Sequence, residues 1–182
     1  MVEKVSSKIE LSASLALLES SEYDKVLYFI DNQERLNSFF TYKGKIVELN
    51  KLKLKLSMNK ISKKDAEEEL RNNIISAAKL GEWLVFTTDK NSGFNAVDFF
   101  KQFSLGCKSG DWFKTSDHLT REFYVNNKIL TSELDYDNFK NKGCYNPNNK
   151  FKMIFLSNCD DDDISELIKN NSEDFFKFIY IK

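Results

Sequence analysis

Two aspartates stand where α/β proteins place the residues that do their chemistry. Asp31 follows an apolar run at residues 25–30, and Asp89 follows another at residues 82–88. Ligands of open α/β sheets bind outside the carboxyl ends of the strands, and a carboxylate there can hold a magnesium ion. Aspartate at a strand end also forms turns, because its side chain accepts hydrogen bonds from nearby backbone amides. We expect turn-forming roles for Asp31 and Asp89 and keep a nucleotide- or magnesium-dependent enzyme that uses both as the alternative.

The segment after the first apolar run lacks the residues of a phosphate-binding loop. A P-loop needs glycines, whose backbone amides close around phosphate, and a Lys-Ser or Lys-Thr pair. Residues 32–38 read Asn-Gln-Glu-Arg-Leu-Asn-Ser, with neither glycine nor lysine. The Gly-x-Gly-x-x-Gly pattern of dinucleotide-binding folds is also absent. We therefore expect no nucleotide and no other cofactor.

The remaining reactive side chains do not form a recognisable catalytic set. The four aspartates at 160–163 could bind a hard cation, but they lack the alternating spacing and the glycine of a calcium loop, so we expect them to complement the dipole of a following helix. His118 is the only histidine, and Cys107, Cys144 and Cys159 contain no Cys-x-x-Cys pair. Nothing in the sequence orients a Cys–His pair. We expect no catalytic residue and no metal.

The elements that would position these side chains alternate between strands and helices. The clearest helix covers residues 62–80, with Ser62 as its N-cap and Gly81 as its C-cap, and a strand follows directly. Shorter helices are indicated at 9–18, after Asn95 and after the four aspartates. Buried strands are indicated at 25–31, 82–89, 151–158 and 175–181. This order predicts a three-layer α/β fold, a mainly parallel sheet with helices on both faces, like a P-loop NTPase core without its phosphate loop.

Three stretches of the chain are less regular. Residues 39–42 look like a loop that leads into a short strand at 46–49. The Lys-Leu alternation at 51–56 fits either a half-buried edge strand or the start of a helix, and both remain open. Residues 106–149 carry repeated turn signals and predict an irregular insertion within a single domain that spans residues 1–182.

Composition excludes several classes of protein. Lysine and arginine number 27 against 28 aspartates and glutamates, whereas nucleic-acid binders carry a basic surplus or stripe. No apolar run reaches the roughly 20 residues that cross a bilayer, and no signal peptide is evident. Three widely spaced cysteines fit a reducing compartment. We expect a cytoplasmic protein that binds neither nucleic acid nor membrane.

The insertion contains the aromatic residues that we consider as contact residues. Trp112 and Phe113 follow Ser-Gly-Asp in a turn-rich stretch, and exposed aromatic residues on loops anchor protein interfaces. Core packing is an equal alternative for Trp112, since 16 Phe and 7 Tyr indicate a core rich in rings. Because insertions in α/β domains often carry binding functions, we predict Trp112, Phe113, Phe123 and Tyr124 as interaction residues.

Two segments resemble the AAA+ modules of dynein heavy chains. Residues 77–86 are similar to a helix-to-strand passage that this family writes as Ala-x-x-x-Gly-x-Trp-Val-x-Leu, and residues 146–157 are similar to its His-Pro-x-Phe-Arg-x-x-Leu-Thr strand. The two segments occur in the family's order and cover less than a quarter of the chain. The P-loop is missing, and residues 87–89 lack the family's Gln-Asn. The resemblance implies a catalytically inactive NTPase-like core, retained as a structural part of a cilium or another microtubule assembly.

Together these patterns predict a non-catalytic protein-interaction or scaffolding domain within a larger assembly. Its expected partners are other proteins, axonemal or microtubule-associated if the resemblance reflects homology. The alternative function is the nucleotide- or magnesium-dependent enzyme described above. A pathogen effector or a viral protein would share the composition and is a third possibility.

Overall fold

The sheet is parallel at every pair of neighbouring strands. We describe a computed structural model over residues 10–20, 24–105 and 111–181. The five strands of the sheet are β1 (Val26–Ile30), β2 (Gly44–Glu48), β3 (Trp83–Thr87), β4 (Lys152–Ser157) and β5 (Phe176–Tyr180). Their order across the sheet is β2-β3-β4-β1-β5. This architecture confirms the predicted three-layer α/β fold.

Helices connect the strands and cover both faces of the sheet. The α-helices are α1 (Leu11–Glu19), α2 (Arg35–Lys43), α3 (Leu49–Ser57), α4 (Lys63–Leu80), α5 (Ala96–Lys101), α6 (Arg121–Asn126) and α7 (Ile164–Asn171). Short 3₁₀ turns lie at Asp111–Phe113, Thr115–Leu119 and Asp161–Asp163.

Alternate residues of each strand face two separate apolar clusters, as the two-residue period of a strand requires. In β1, Tyr28 packs into the larger cluster with α3 to α7, whereas Leu27 and Phe29 pack into the smaller one with α1 and α2. The connection from β1 to β2 runs in the opposite direction across the sheet from every later connection. Because crossovers between parallel strands are right-handed, this reversal puts α2 on the other face.

The signals at the ends of α4 act as the sequence predicts. The Ser62 hydroxyl accepts a hydrogen bond from the Asp65 amide at 3.1 Å, which caps the first turn. Gly81 ends the helix with a φ of 75°, a left-handed conformation that glycine adopts without steric cost. A Cβ atom at this position would lie 2.6 Å from the Asn148 Oδ1 atom. Both the positive φ and the closeness of Asn148 therefore favour glycine at position 81.

The prediction of a loop at residues 39–42 is wrong, because these residues lie inside α2. Phe40 is buried with its ring centroid 6.0 Å from that of Trp83, whereas Tyr42 is 88% exposed. The ambiguous Lys-Leu alternation forms the helix α3. Leucines two positions apart point to different sides of a helix. Leu52 is therefore buried, whereas Leu54 is 57% exposed.

Candidate functional site

The strand order puts the usual ligand crevice of an α/β sheet between β1 and β4. These strands are neighbours, yet the chain leaves β1 toward β2 and leaves β4 toward β5, in opposite directions. Such a reversal opens a crevice at the carboxyl ends of the two strands, where α/β proteins bind their ligands. The residues that border this crevice are 31–34 after β1 and 158–161 after β4.

The Asp31 carboxylate lies at the N-terminus of α2, where α/β proteins often bind a phosphate group. Its side chain is fully buried, and Oδ2 accepts a hydrogen bond of 2.6 Å from the Leu36 amide in the first turn of α2. The Arg35 Nε atom lies 3.8 Å from Asp31 Oδ1. A helix N-terminus attracts anions because its first amides lack partners within the helix. Here the chain supplies its own carboxylate, so Asp31 forms the turn into α2.

A second group of polar side chains spans the ends of β1, β4 and β5. The Asn32 side-chain amide donates to Asp161 Oδ1 at 2.7 Å, and the Tyr180 hydroxyl donates to the same carboxylate oxygen. Asp161 is one of the four consecutive aspartates, which lie directly before α7. Within the described ranges, no group of three or more His, Cys, Asp or Glu side chains is placed to hold a metal ion.

Asp89 lies apart from Asp31, and its backbone rather than its side chain closes a turn. Its carbonyl oxygen accepts hydrogen bonds from the Asn158 amide at 2.9 Å and the Ser157 hydroxyl at 2.7 Å. The Asp89 side chain is exposed and its φ is 48°. The strand β4 separates β1 from β3, so their axes are about 10 Å apart. Each aspartate therefore belongs to its own turn, and the strand β4 lies between the two.

The four aromatic residues of the insertion that we predict as interaction residues lie in the core and not on an exposed loop. Trp112 and Tyr124 are fully buried, Phe113 is 1% exposed and Phe123 is 5% exposed. The Trp112 ring centroid lies 4.8 Å from that of Phe100, and its Nε1 donates to the Leu105 carbonyl at 2.9 Å. The insertion folds back on the larger apolar face, and these rings complete its core. Turn signals locate the loops but do not show which way a ring points.

His118 belongs to the same buried cluster. Its Nε2 donates to the Trp112 carbonyl at 2.7 Å, and the Tyr124 hydroxyl donates to the His118 carbonyl at 2.7 Å. Burial lowers the pKa of His118 to about 4, so the ring is neutral at neutral pH. These contacts give the histidine a structural role. Of the cysteines, Cys144 is exposed, Cys159 is buried with its thiol pKa raised by that burial, and Cys107 lies outside the described residues.

The insertion presents a different aromatic residue to solvent, Phe139, which is 86% exposed. It lies at the tip of residues 135–145, here called the Phe139 loop. The backbone amides of Phe139 and Asn141 both donate to Asp137 Oδ1, at 2.8 and 2.9 Å. The Asn141 side chain donates to Asp137 Oδ2 at 2.9 Å, and this bond is the main cause that lowers the Asp137 pKa. The Asp-x-Phe-x-Asn spacing is an Asx-turn signal that sequence reasoning could have used and missed.

The base of the Phe139 loop contacts the helices α6 and α4. Arg121 donates to both oxygens of Asp135, at 2.5 and 2.6 Å, and this pairing lowers the pKa of the Asp135 carboxyl. The Gly143 amide donates to the Asp135 carbonyl at 2.8 Å. The Lys79 ammonium group lies 3.8 Å from the centre of the Tyr136 ring, which links the loop to α4. The loop thus presents an exposed aromatic ring, and hydrogen bonds hold its backbone at both the tip and the base.

Neither a protein-family model nor a curated protein nor a solved structure matches this chain. The resemblance to dynein AAA+ modules therefore stays a prediction. Among the described helices, none combines the length and the apolar character that crossing a membrane requires.

Proposed function

We propose that this chain is a non-catalytic protein-interaction domain that acts as a scaffold within a larger assembly. The observation that carries the proposal is the exposed ring of Phe139 at the tip of a braced loop. Burial of an aromatic ring is a large source of binding energy, and aromatic residues dominate the hot spots of protein interfaces. A partner that covers Phe139 gains this energy.

The hydrogen bonds of the Phe139 loop strengthen the proposal. Association loses affinity whenever a loop has to become ordered on binding. Asp137 already holds the two amides at the tip, and Asp135 already holds the base through Arg121. The loop needs little further ordering, so most of the energy of burying Phe139 remains available for binding.

The contacts of Asp31 support the non-catalytic part of the proposal. A phosphate at the N-terminus of α2 would have to displace a buried carboxylate from the Leu36 amide. The two anions would also repel each other at close range in a region of low dielectric constant. Binding of a nucleotide in the usual crevice is therefore opposed by the chain's own charge.

The cellular context of the scaffold follows from the resemblance to dynein modules and is part of the proposal. If the resemblance reflects homology, the domain works in the cytoplasm within a cilium or another microtubule assembly. Localisation of the tagged full chain in its native cells tests this context. A location outside every microtubule structure would remove the axonemal assignment but leave the interaction proposal intact.

Affinity purification from the native source tests the function through Phe139. The tagged wild-type chain should recover a stoichiometric partner, and Phe139→Ala should reduce its recovery at least tenfold, because a hot-spot truncation costs about 2 kcal/mol or more. Tyr42→Ala is the matched control, since Tyr42 is 88% exposed on α2, outside the Phe139 loop. It should leave recovery unchanged. Purification of the wild-type chain alone, or equal recovery with Phe139→Ala, contradicts the proposal.

A further inference from the structure

A cleft of about 430 Å³ lies beside β2 at the edge of the sheet. Among the described residues, β2 pairs with β3 alone, so its other side carries backbone groups that no strand uses. The cleft is lined by Ile46 and Val47 of β2, by Asn37 and Thr41 of α2, and by Asn73 of α4. Helices from the two faces of the sheet therefore form its opposite walls.

The position of the lining residues shows that this cleft follows the edge of β2. Ile46 packs against the smaller apolar cluster, whereas Val47 is buried in the larger one. Adjacent residues of a strand point to opposite faces, so a depression over either face would be lined by only one of them. A cleft lined by both runs along the edge, where backbone N–H and C=O groups point outward.

A buried hydroxyl without a partner lies at the end of this cleft. Thr87 lines the cleft and is 5% exposed, yet its Oγ1 atom makes no hydrogen bond. Thr87 pairs in register with Glu48, the last residue of β2. Buried hydroxyl groups in folded proteins are nearly always hydrogen-bonded. The unsatisfied Thr87 hydroxyl therefore points to a polar group that a ligand supplies.

We propose that the cleft binds an extended peptide segment of a partner protein, which adds a strand to the edge of β2. Strand addition satisfies backbone groups along an open edge and is a recurring mode of peptide recognition. A long polar side chain of the same peptide, reaching past the end of β2, would bond to Thr87 on the neighbouring strand. The edge lies between α2 and α4, so a single strand reaches it more easily than the edge of a second copy, which carries its own flanking helices.

The charges around the cleft favour recognition of the peptide backbone over recognition of charged side chains. Its lining contains Lys51 and Lys55 together with Glu48, Glu69 and Asp89, so positive and negative groups nearly balance. Lys51 and Glu48 already pair at 2.9 Å. We therefore expect affinity to depend weakly on salt.

Selection from a library of random short peptides displayed on phage tests this proposal, with the full chain as the target. N–H groups of alternate residues point to the same edge of a strand, and only one edge of the added strand pairs with β2. N-methylation of the set that faces β2 should therefore abolish binding of the strongest selected peptide, whereas N-methylation of the other set should not. Thr87→Val should weaken that peptide about fivefold by removing one hydrogen bond. Thr41→Trp should abolish binding by filling the cleft, whereas Ser38→Trp, also exposed on α2 but away from the lining, should retain it.

The proposal is overturned if no peptide is enriched, or if the selected peptides bind equally to Thr41→Trp. It is also overturned if the wild-type chain self-associates and Thr41→Trp prevents this, because the edge would then serve a second copy. The inference goes beyond the function proposed for Phe139 and does not depend on it. Phe139→Ala should bind the selected peptides unchanged, so the two proposals can fail separately.

Discussion

Thr87 and Thr88 are neighbours with opposite hydrogen-bonding states. Both are buried, but the Thr88 hydroxyl shares a hydrogen bond of 2.8 Å with the Tyr28 hydroxyl, whereas the Thr87 hydroxyl has no partner. A buried polar group without a partner destabilises the folded state by about 1 to 3 kcal/mol, while a satisfied one contributes to stability. The fold therefore satisfies the hydroxyl of Thr88 but not that of its neighbour Thr87.

The matched substitutions Thr87→Val and Thr88→Val should change stability in opposite directions. We expect Thr87→Val to raise the free energy of unfolding by about 1 kcal/mol, because it removes a desolvated hydroxyl and keeps the shape. Thr88→Val should lower it by about 1 to 3 kcal/mol, because it leaves the buried Tyr28 hydroxyl without its partner. Urea unfolding of the peptide-free chain measures both values. A loss of stability in both variants would contradict the assignment of Thr87.

His118 should make the domain sensitive to acid. Its folded-state pKa of about 4 lies below the ordinary value of 6.5, so the unfolded chain takes up the proton first as the pH falls. The folded state is therefore destabilised as the pH drops from 6.5 toward 4, by roughly 3 kcal/mol. Above pH 6.5 this effect is absent.

Urea unfolding at several pH values measures this contribution. His118→Gln, which does not titrate in this range, should show a flatter fall in stability between pH 6.5 and 4 than the wild-type chain. An identical pH dependence in the two proteins would mean that the ring is not held neutral in the core.

At the scale of elements, the end of α4 can be tested by comparing its terminal glycine, Gly81, with a second glycine of nearly the same φ, Gly143. Gly81 and Gly143 have φ values of 75° and 74°. An added Cβ atom meets Asn148 at 2.6 Å in the first case, but nothing within 4 Å in the second. Gly143→Ala should therefore cost only the left-handed backbone strain, about 1 kcal/mol. Gly81→Ala should cost clearly more, because Asn148 must also move.

Thermal unfolding of the two glycine variants measures this difference. Equal destabilisation would show that Asn148 gives way freely and that the contact does not fix the end of α4. A smaller effect at Gly81 than at Gly143 would contradict the account of this junction.

The elements that sequence patterns predict well are those whose signals are local. The helix α4 has a serine cap, an apolar stripe and a terminal glycine, and the buried strands are continuous apolar runs. The helix α2 has no such signal. Glu34 precedes it with a left-handed φ of 58°, and its cap comes from Asp31, five residues before the amide that it binds. Because the capping residue lies in the preceding turn, the sequence of residues 35–43 contains no signal for the start of α2.

The candidate site was less predictable than the fold because it depends on the direction of side chains. Trp112 and Phe139 lie in the same insertion, yet one is fully buried and the other is 86% exposed. Nothing in the local sequence distinguishes how the insertion packs against the larger face of the sheet. The Asx turn at Asp137 was detectable, since it depends on residues two and four positions apart.

At the scale of the whole molecule, the connection of the strands opens a crevice that the side chains then close. The reversal between β1 and β4 produces the crevice of an α/β binding protein. Asp31 accepts a hydrogen bond from the Leu36 amide at the N-terminus of α2, and Asp161 bonds to Asn32 and Tyr180 across the strand ends. The two surfaces that we propose for recognition lie elsewhere, at the Phe139 loop and along the edge of β2.

If Asp31 closes the crevice between β1 and β4 to phosphate, the chain binds no nucleotide there, and a thermal-shift titration of the wild-type chain with ATP or GTP in the presence of magnesium measures this. A ligand at roughly one hundred times its Kd adds about 2.7 kcal/mol of stability, which raises the Tm of a chain of this size by roughly 5 to 10 °C. We predict no change in Tm with either nucleotide. A shift of that size with either nucleotide would contradict this interpretation, because a nucleotide would then bind despite the carboxylate of Asp31 at the N-terminus of α2.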